Sequence, residues 1–263
     1  MDNGYVALLD VLGFSALVGA DTTGDRIRGY RTCLEQIATQ SVVEYIVFSD
    51  SIILTAKGAD EASFIAIARE CSHLLAALLK DGIALRGAIT FGDIFRSHFA
   101  GTESIFVAGC AVVDAYQFEQ NQDWVGIMVA PNALKQVRDL RGRCTVLNVW
   151  ARGQGIQNLS EDLHFPAYIQ PCGNIPFRSP SPLDQPGFDG FAVVATNCAL
   201  NPAALSSSIS ATLEDLSWLR SIAPSPSAQQ KYISTIRWLT GIQGMWQDAA
   251  RNHQQFVERK SAT

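Results

Sequence analysis

Two aspartates carry the most specific chemistry in this 263-residue sequence. Asp10 closes an apolar run of strand length, Tyr5-Val6-Ala7-Leu8-Leu9, after which the chain turns through Gly13 into a polar segment. Asp50 follows a second apolar run at residues 42–48, and Ile52-Ile53-Leu54 comes directly after it. Carboxylates placed in this way sit at strand ends or tight turns. Two of them brought face to face can hold hard cations, because Mg²⁺ prefers oxygen ligands and takes one or two carboxylates with substrate phosphates completing its shell. Two metals about 3.5–4 Å apart clamp the attacking and leaving oxygens of a phosphoryl transfer. The competing account is structural, since an Asp at a strand end commonly opens a turn or caps the next helix. The pair, with the glycine turn and the motifs below, points to metal binding.

The elements that must position these residues can be read in order. Residues 5–10 form a first buried strand, and Ile27, Tyr30, Leu34 and Ile37 recur at helical spacing over residues 23–39. Strand-like runs at 42–48 and 51–55 flank a hairpin turn at Ser49-Asp50. A long amphipathic helix opens at Asp60 and ends at Gly82, and residues 83–91 form the next strand. Strand, helix, strand, strand, helix, strand is the split βαβ, or ferredoxin-like, order. It predicts an α+β fold with the first strand and the middle hairpin side by side, so that Asp10 and Asp50 meet. Further on, the sequence predicts strands at 104–107, 125–129, 145–149, 167–169 and 191–196. Helices are predicted at 109–119, from Pro131, at 202–222 and at 228–257, with an irregular loop over 171–190. Trp218, Tyr232, Trp238 and Trp246 on the last two helices are read as packing residues.

Composition bounds the rest. With 48% hydrophobic residues the chain can bury a full core. A net charge of −5 argues against nucleic acid or an anionic membrane as the main partner. The six cysteines are scattered without a C-x-x-C pair, which favours free buried thiols over disulfides or zinc. No uninterrupted apolar stretch is long enough to cross a bilayer, and the N-terminus lacks the layout of a signal peptide, so a cytoplasmic protein is expected.

The stretches Leu9-Asp10-Val11-Leu12-Gly13-Phe14-Ser15, Phe48-Ser49-Asp50-Ser51-Ile52-Ile53 and Leu85-Arg86-Gly87-Ala88-Ile89-Thr90-Phe91-Gly92 together resemble a class III nucleotide cyclase domain. Residues 109–119, from Gly109 through Asp114 and Gln117 to Glu119, resemble the helix that in this family reaches into the partner subunit's active site. The match spans residues 5–130. Within the class, the wording of the motifs is similar to the bacterial Pycsar pyrimidine cyclases, which make cyclic UMP or cyclic CMP as an anti-phage signal.

The resemblance implies that Asp10 and Asp50 bind two divalent ions, Mg²⁺ or Mn²⁺, with the Val11 carbonyl as an extra oxygen. It also implies that the backbone N–H groups of Leu12, Gly13, Phe14 and Ser15 cradle the triphosphate, as successive N–H groups at a helix start can do. The reaction implied is attack of the ribose 3′-OH on the α-phosphorus with loss of pyrophosphate. Departures from the family are as informative. No lysine stands shortly before Asp50, where purine cyclases read the base; the region is Glu44-Tyr45-Ile46-Val47, and Tyr45 is either a pocket-shrinking substitute or an ordinary strand aromatic. The positions of the helix that usually hold Asn and Arg are Val113 and Gln117, next to Asp114. Arg86 or Arg96 is then the candidate for the missing transition-state cation, through bidentate contact with phosphate oxygens; otherwise Arg86 pairs a buried carboxylate and Arg96 is solvated.

The sequence thus predicts a pyrimidine nucleotide cyclase using UTP or CTP. Residues 1–200 are its catalytic domain, and residues 201–263 a helical extension packed on that domain or on a dimer partner. A homodimer would build composite sites, with the product read by a separate cyclic-nucleotide effector. The alternatives are a divergent adenylate or guanylate cyclase and an inactive cyclase-fold module for nucleotide sensing or dimerisation.

Overall fold

A computed structural model of the chain describes residues 2–99, 101, 105–137, 169–171, 191–194 and 202–261. Its first strand, β1 (Asp2–Val11), sends Tyr5, Ala7, Leu9 and Val11 to one face of a sheet and Val6 and Leu8 to the other, and all six are buried. A strand covered on both faces reads as a continuous apolar run, which is what the sequence shows. Two helices follow where the periodicity predicts one, α1 (Phe14–Ala20) and α2 (Asp25–Ala38). Next come β2 (Glu44–Phe48), β3 (Ser51–Lys57), α3 (Glu61–Lys80) and β4 (Leu85–His98). The sheet order β2-β3-β1-β4, antiparallel throughout, is the ferredoxin-like arrangement expected.

The sheet then grows. β4 runs on to His98, well past the expected end at residue 91, as an arm paired with β5 (Ile105–Ala108). After α4 (Cys110–Asn121), β6 (Gly126–Val129) lies parallel to β4. A short α5 (Pro131–Leu134) follows, and β7 (Ile169–Pro171) and β8 (Phe191–Val193) complete the edge in the order β6-β8-β7. The strand expected at 145–149 and most of the loop expected at 171–190 lie outside the described residues. The fold is therefore α+β: a ferredoxin-like core, an extended sheet and C-terminal helices.

Helix α3 forms because Phe64, Ile67, Ala68, Cys71, Leu74, Leu75 and Leu78 recur at three- and four-residue spacing, and every one is buried against the sheet. By length and apolar composition it is also the one helix among the described residues that could cross a bilayer, a candidate the sequence reading lacked, but that face is spent on the core. Its start is capped: Asp60 Oδ1 accepts from the Ser63 N–H at 2.8 Å. Asp60→Ala should lower stability, as loss of an N-cap carboxylate does, read as a fall of the urea midpoint with an unchanged slope.

The two last helices, α6 (Pro202–Ile222) and α7 (Pro226–Ser261), share the same core through Ile209, Leu216, Tyr232, Leu239 and Trp246. Thr235 pins α7 to the sheet, its hydroxyl accepting from the Val125 N–H at 2.8 Å and lying 2.9 Å from the Val125 carbonyl. Trp238 meets Trp124 edge-on at 5.6 Å, while Trp218 stays half exposed beside Gly82. Among the described cysteines, Cys33, Cys71 and Cys110 are free thiols; Cys71 is buried, Cys33 half-buried, and Cys110, against expectation, exposed.

Candidate functional site

The site forms where β1 ends. Asp10 stands opposite Ser51 of β3 on one side and Arg86 of β4 on the other. Ser49, at a φ of 57°, is the one non-glycine residue among those described in the left-handed region, and it turns the β2–β3 hairpin so that Asp50 arrives beside β1. The Val11 N–H donates to the Asp50 carbonyl at 2.9 Å, which locks the two motifs together one residue from Asp10. Burial raises the Asp10 carboxyl above its ordinary value, the Arg86 guanidinium pulls it back, and the charge of Asp50 pushes it up again. A hard cation would relieve the repulsion between two such carboxylates at a strand end.

Behind Asp10 is a buried charge network. Arg86, with a side chain 10% exposed, forms a tight ion pair with Glu119 of α4, whose side chain is 1% exposed, and reaches Asp10 Oδ2 with Nη2 at 3.4 Å. Its Nη1 donates to the Gln122 carbonyl at 3.3 Å. Glu119 reaches it because α4 buries Ala111, Ala115 and Glu119 at four-residue spacing. Burial raises the Glu119 carboxyl, an effect that Arg86 opposes and Asp10 reinforces. Gly87, next to Arg86, lets β4 come this close: a Cβ there would lie 2.3 Å from the Leu8 carbonyl oxygen.

The turn after Asp10 gives part of the expected anion cradle. Gly13 caps α1 in the left-handed conformation, φ 76° and ψ 19°, with open space around it. The first intrahelical bond is from the Leu17 N–H to the Gly13 carbonyl, so the N–H groups of Phe14 and Ser15 have no acceptor within the helix. Leu12 is different. Its N–H donates to the Ala84 carbonyl at 2.9 Å, which takes it out of the cradle.

Four other expected residues, Tyr45, Arg96, Asp114 and Gln117, are not brought to the carboxylates. Tyr45 pairs with Leu54 on the core face of the sheet, opposite to the face that carries Asp10, and its hydroxyl donates in a very short bond to buried Glu70 of α3. It is a core aromatic there, and burial with that bond raises its hydroxyl well above the ordinary value. Arg96 lies on the distal arm of β4, ten residues beyond Arg86, where it pairs with Glu44. On α4, Gln117 and Val113 face solvent, and Asp114 Oδ2 accepts from the Asn132 side chain at 3.0 Å.

Sequence reasoning missed Glu119 and Tyr30 as members of the site. Tyr30 on α2 is 5% exposed, its ring meets Phe14 edge-on at 5.9 Å, and its hydroxyl has no hydrogen-bond partner. A polar residue on the apolar stripe of each helix was the only signal.

The residues present fit one or two hard cations. Asp10 and Asp50 supply carboxylate oxygens, and no group of three or more His, Cys, Asp or Glu side chains gathers among the described residues, so phosphates and water must complete any shell.

No protein-family model matches the sequence, and no curated protein matches it. Solved structures do. The guanylyl cyclase domain of the RhoGC fusion protein from the aquatic fungus Blastocladiella emersonii is 13% identical with a TM-score of 0.42, over 52% of this chain and 84% of that one. The adenylyl cyclase CyaB from P. aeruginosa is 13% identical with a TM-score of 0.47, over 76% of this chain and 97% of that one. The guanylate cyclase domain of RhGC from Catenaria anguillulae, in complex with GTP, is 14% identical with a TM-score of 0.41, over 52% and 83%.

Proposed function

We propose that this chain is a metal-dependent nucleotide cyclase that converts a pyrimidine ribonucleoside triphosphate, UTP or CTP, to its 3′,5′-cyclic monophosphate and pyrophosphate. The observation that carries the reading is the meeting of Asp10 and Asp50 at the end of β1, beside a helix start with free N–H groups. Asp10 and Asp50 would hold the Mg²⁺ or Mn²⁺, which neutralises triphosphate charge and favours the 3′-alkoxide. The first-turn N–H groups of Phe14 and Ser15 orient the phosphate chain. Arg86, fixed by Glu119, adds a positive charge behind Asp10. The 3′-hydroxyl gives its proton to water as its oxygen bonds to the α-phosphorus, the bond from that phosphorus to the oxygen bridging to the β-phosphate breaks, and pyrophosphate leaves; positioning and charge account for most of the rate.

Pyrimidine choice rests on what stands where purine readers would. On β2 the residues facing the Asp10 side are Glu44, Ile46 and Phe48, without a lysine. Tyr45 no longer supports that choice. A homodimer is part of the proposal: one copy leaves Phe48, 80% exposed, with Phe95, Phe106, Val113 and Tyr116 in solvent. Two copies would bring Gln117 and the outer face of α4 to the other's carboxylates. A role in anti-phage signalling through a separate effector is proposed on the motif resemblance alone.

The test is incubation of the purified chain with the four ribonucleoside triphosphates and Mn²⁺, resolving products by mass. Cyclic UMP or CMP is the expected product. Cyclic AMP or GMP would keep the metal site and overturn the pyrimidine choice. No cyclic product from folded protein would favour an inactive nucleotide-sensing or dimerisation module, a reading to which the absence of a cation on the outer face of α4 already lends weight.

A further inference from the structure

Buried hydroxyls without partners are rare, and each asks for an explanation. Tyr30 has one. Its ring is fixed in the core by Phe14, its hydroxyl oxygen is closed to solvent, and no hydrogen-bond acceptor meets it. Two tryptophan N–H groups, of Trp124 and Trp246, are also unpartnered, but each belongs to the packing of α7 on the sheet. Tyr30 differs in what surrounds it: the charged groups that act on its hydroxyl are Asp50 first and Asp10 second, with the Cys33 thiol a lesser one. Burial and those two carboxylates push the hydroxyl up to about 12, so it keeps its proton at neutral pH and remains a donor.

From the buried, partnerless hydroxyl on a ring packed against Phe14, at the turn that follows Asp10, we infer that Tyr30 is the positioning residue of the cation site, its hydroxyl donating to the Asp50 carboxylate when that carboxylate would hold a divalent ion. The inference rests on the reading of Asp10 and Asp50 as cation ligands. Carboxylates that bind metals are commonly held by an outer hydrogen bond, and loss of such a partner typically lowers metal affinity 10–100-fold. A buried hydroxyl donor without an acceptor is available for that role. Leaving it idle destabilises the free fold, and cation binding removes that penalty. No covalent step is involved.

The test compares wild type, Tyr30→Phe and Asp50→Ala, each titrated with Mn²⁺ alone by the electron paramagnetic resonance of the free ion, and each melted without metal. Phenylalanine keeps the ring against Phe14. Tyr30→Phe is expected to bind Mn²⁺ about tenfold or more weakly than wild type, and to melt no lower than wild type without metal. Equal Mn²⁺ affinity in Tyr30→Phe and wild type, with Asp50→Ala deficient, would overturn the inference and leave the metal site standing. A metal-free melting temperature of Tyr30→Phe below wild type would mean that the hydroxyl is already bonded in the free protein, which also overturns it. Absence of Mn²⁺ binding by wild type, or equal binding by Asp50→Ala, would overturn the cation site and this inference together.

Discussion

Asp50→Ala is expected to reduce formation of cyclic product by about a thousandfold or more while the protein stays folded. On the proposed function, removing one of the two carboxylates that would hold the ions takes away several kcal/mol of charge stabilisation from the transition state, and each 1.36 kcal/mol is a factor of ten. The fold should tolerate the change, because the tie between hairpin and β1 is the Asp50 backbone carbonyl, which alanine retains. The variant should also relieve Asp10, whose carboxyl the Asp50 charge raises. Metal-free Asp50→Ala is therefore expected to melt at or above the wild-type temperature. Single-turnover product formation, with thermal melts on the same preparations, checks both halves. Retained activity in Asp50→Ala would remove Asp50 from the mechanism.

Glu119→Ala is expected to have the largest effect on stability, a loss of about 3–5 kcal/mol, the range found when one partner of a buried ion pair is removed. Arg86 would keep only the long contact to Asp10 at 3.4 Å and the Gln122 carbonyl, with most of its charge still out of water. The double variant Arg86→Met with Glu119→Leu separates loss of the pair from loss of packing. A buried pair replaced by apolar residues of similar volume is often neutral or stabilising, so the double variant should recover most of the wild-type urea midpoint. If Glu119→Ala and the double variant fell equally, the pair would not be the cause.

The fold was legible in the sequence where one element at a time decides. Continuous apolar runs gave β1 and β3, three- and four-residue spacing gave α2 and α3, and the order of these elements selected the ferredoxin-like arrangement. β4 was read too short, because Gly92 and Asp93 look like a strand's end when the pairing of the arm with β5 is not seen. Asp10, Asp50 and Gly13 were legible for the same reason as the strands: each interrupts an apolar run at a point where only a turn or a ligand accounts for it.

What the sequence could not assign is direction. The side of the sheet on which Tyr45 lies depends on the register of β2 against β3, and a slip of one residue would send it to the Asp10 side. Arg86 could be named as a cation but not matched to Glu119, because the pair is made between a strand and a helix whose packing angle no local pattern encodes. Tyr30 looked like one more apolar contact on α2, and only the tertiary packing leaves its hydroxyl buried without an acceptor. By itself the sequence determined which residues have the chemistry for a cation and phosphate site, since that depends on side-chain type and local turns. The tertiary structure decided which of them share that site, since strand register and helix packing fix where each side chain points.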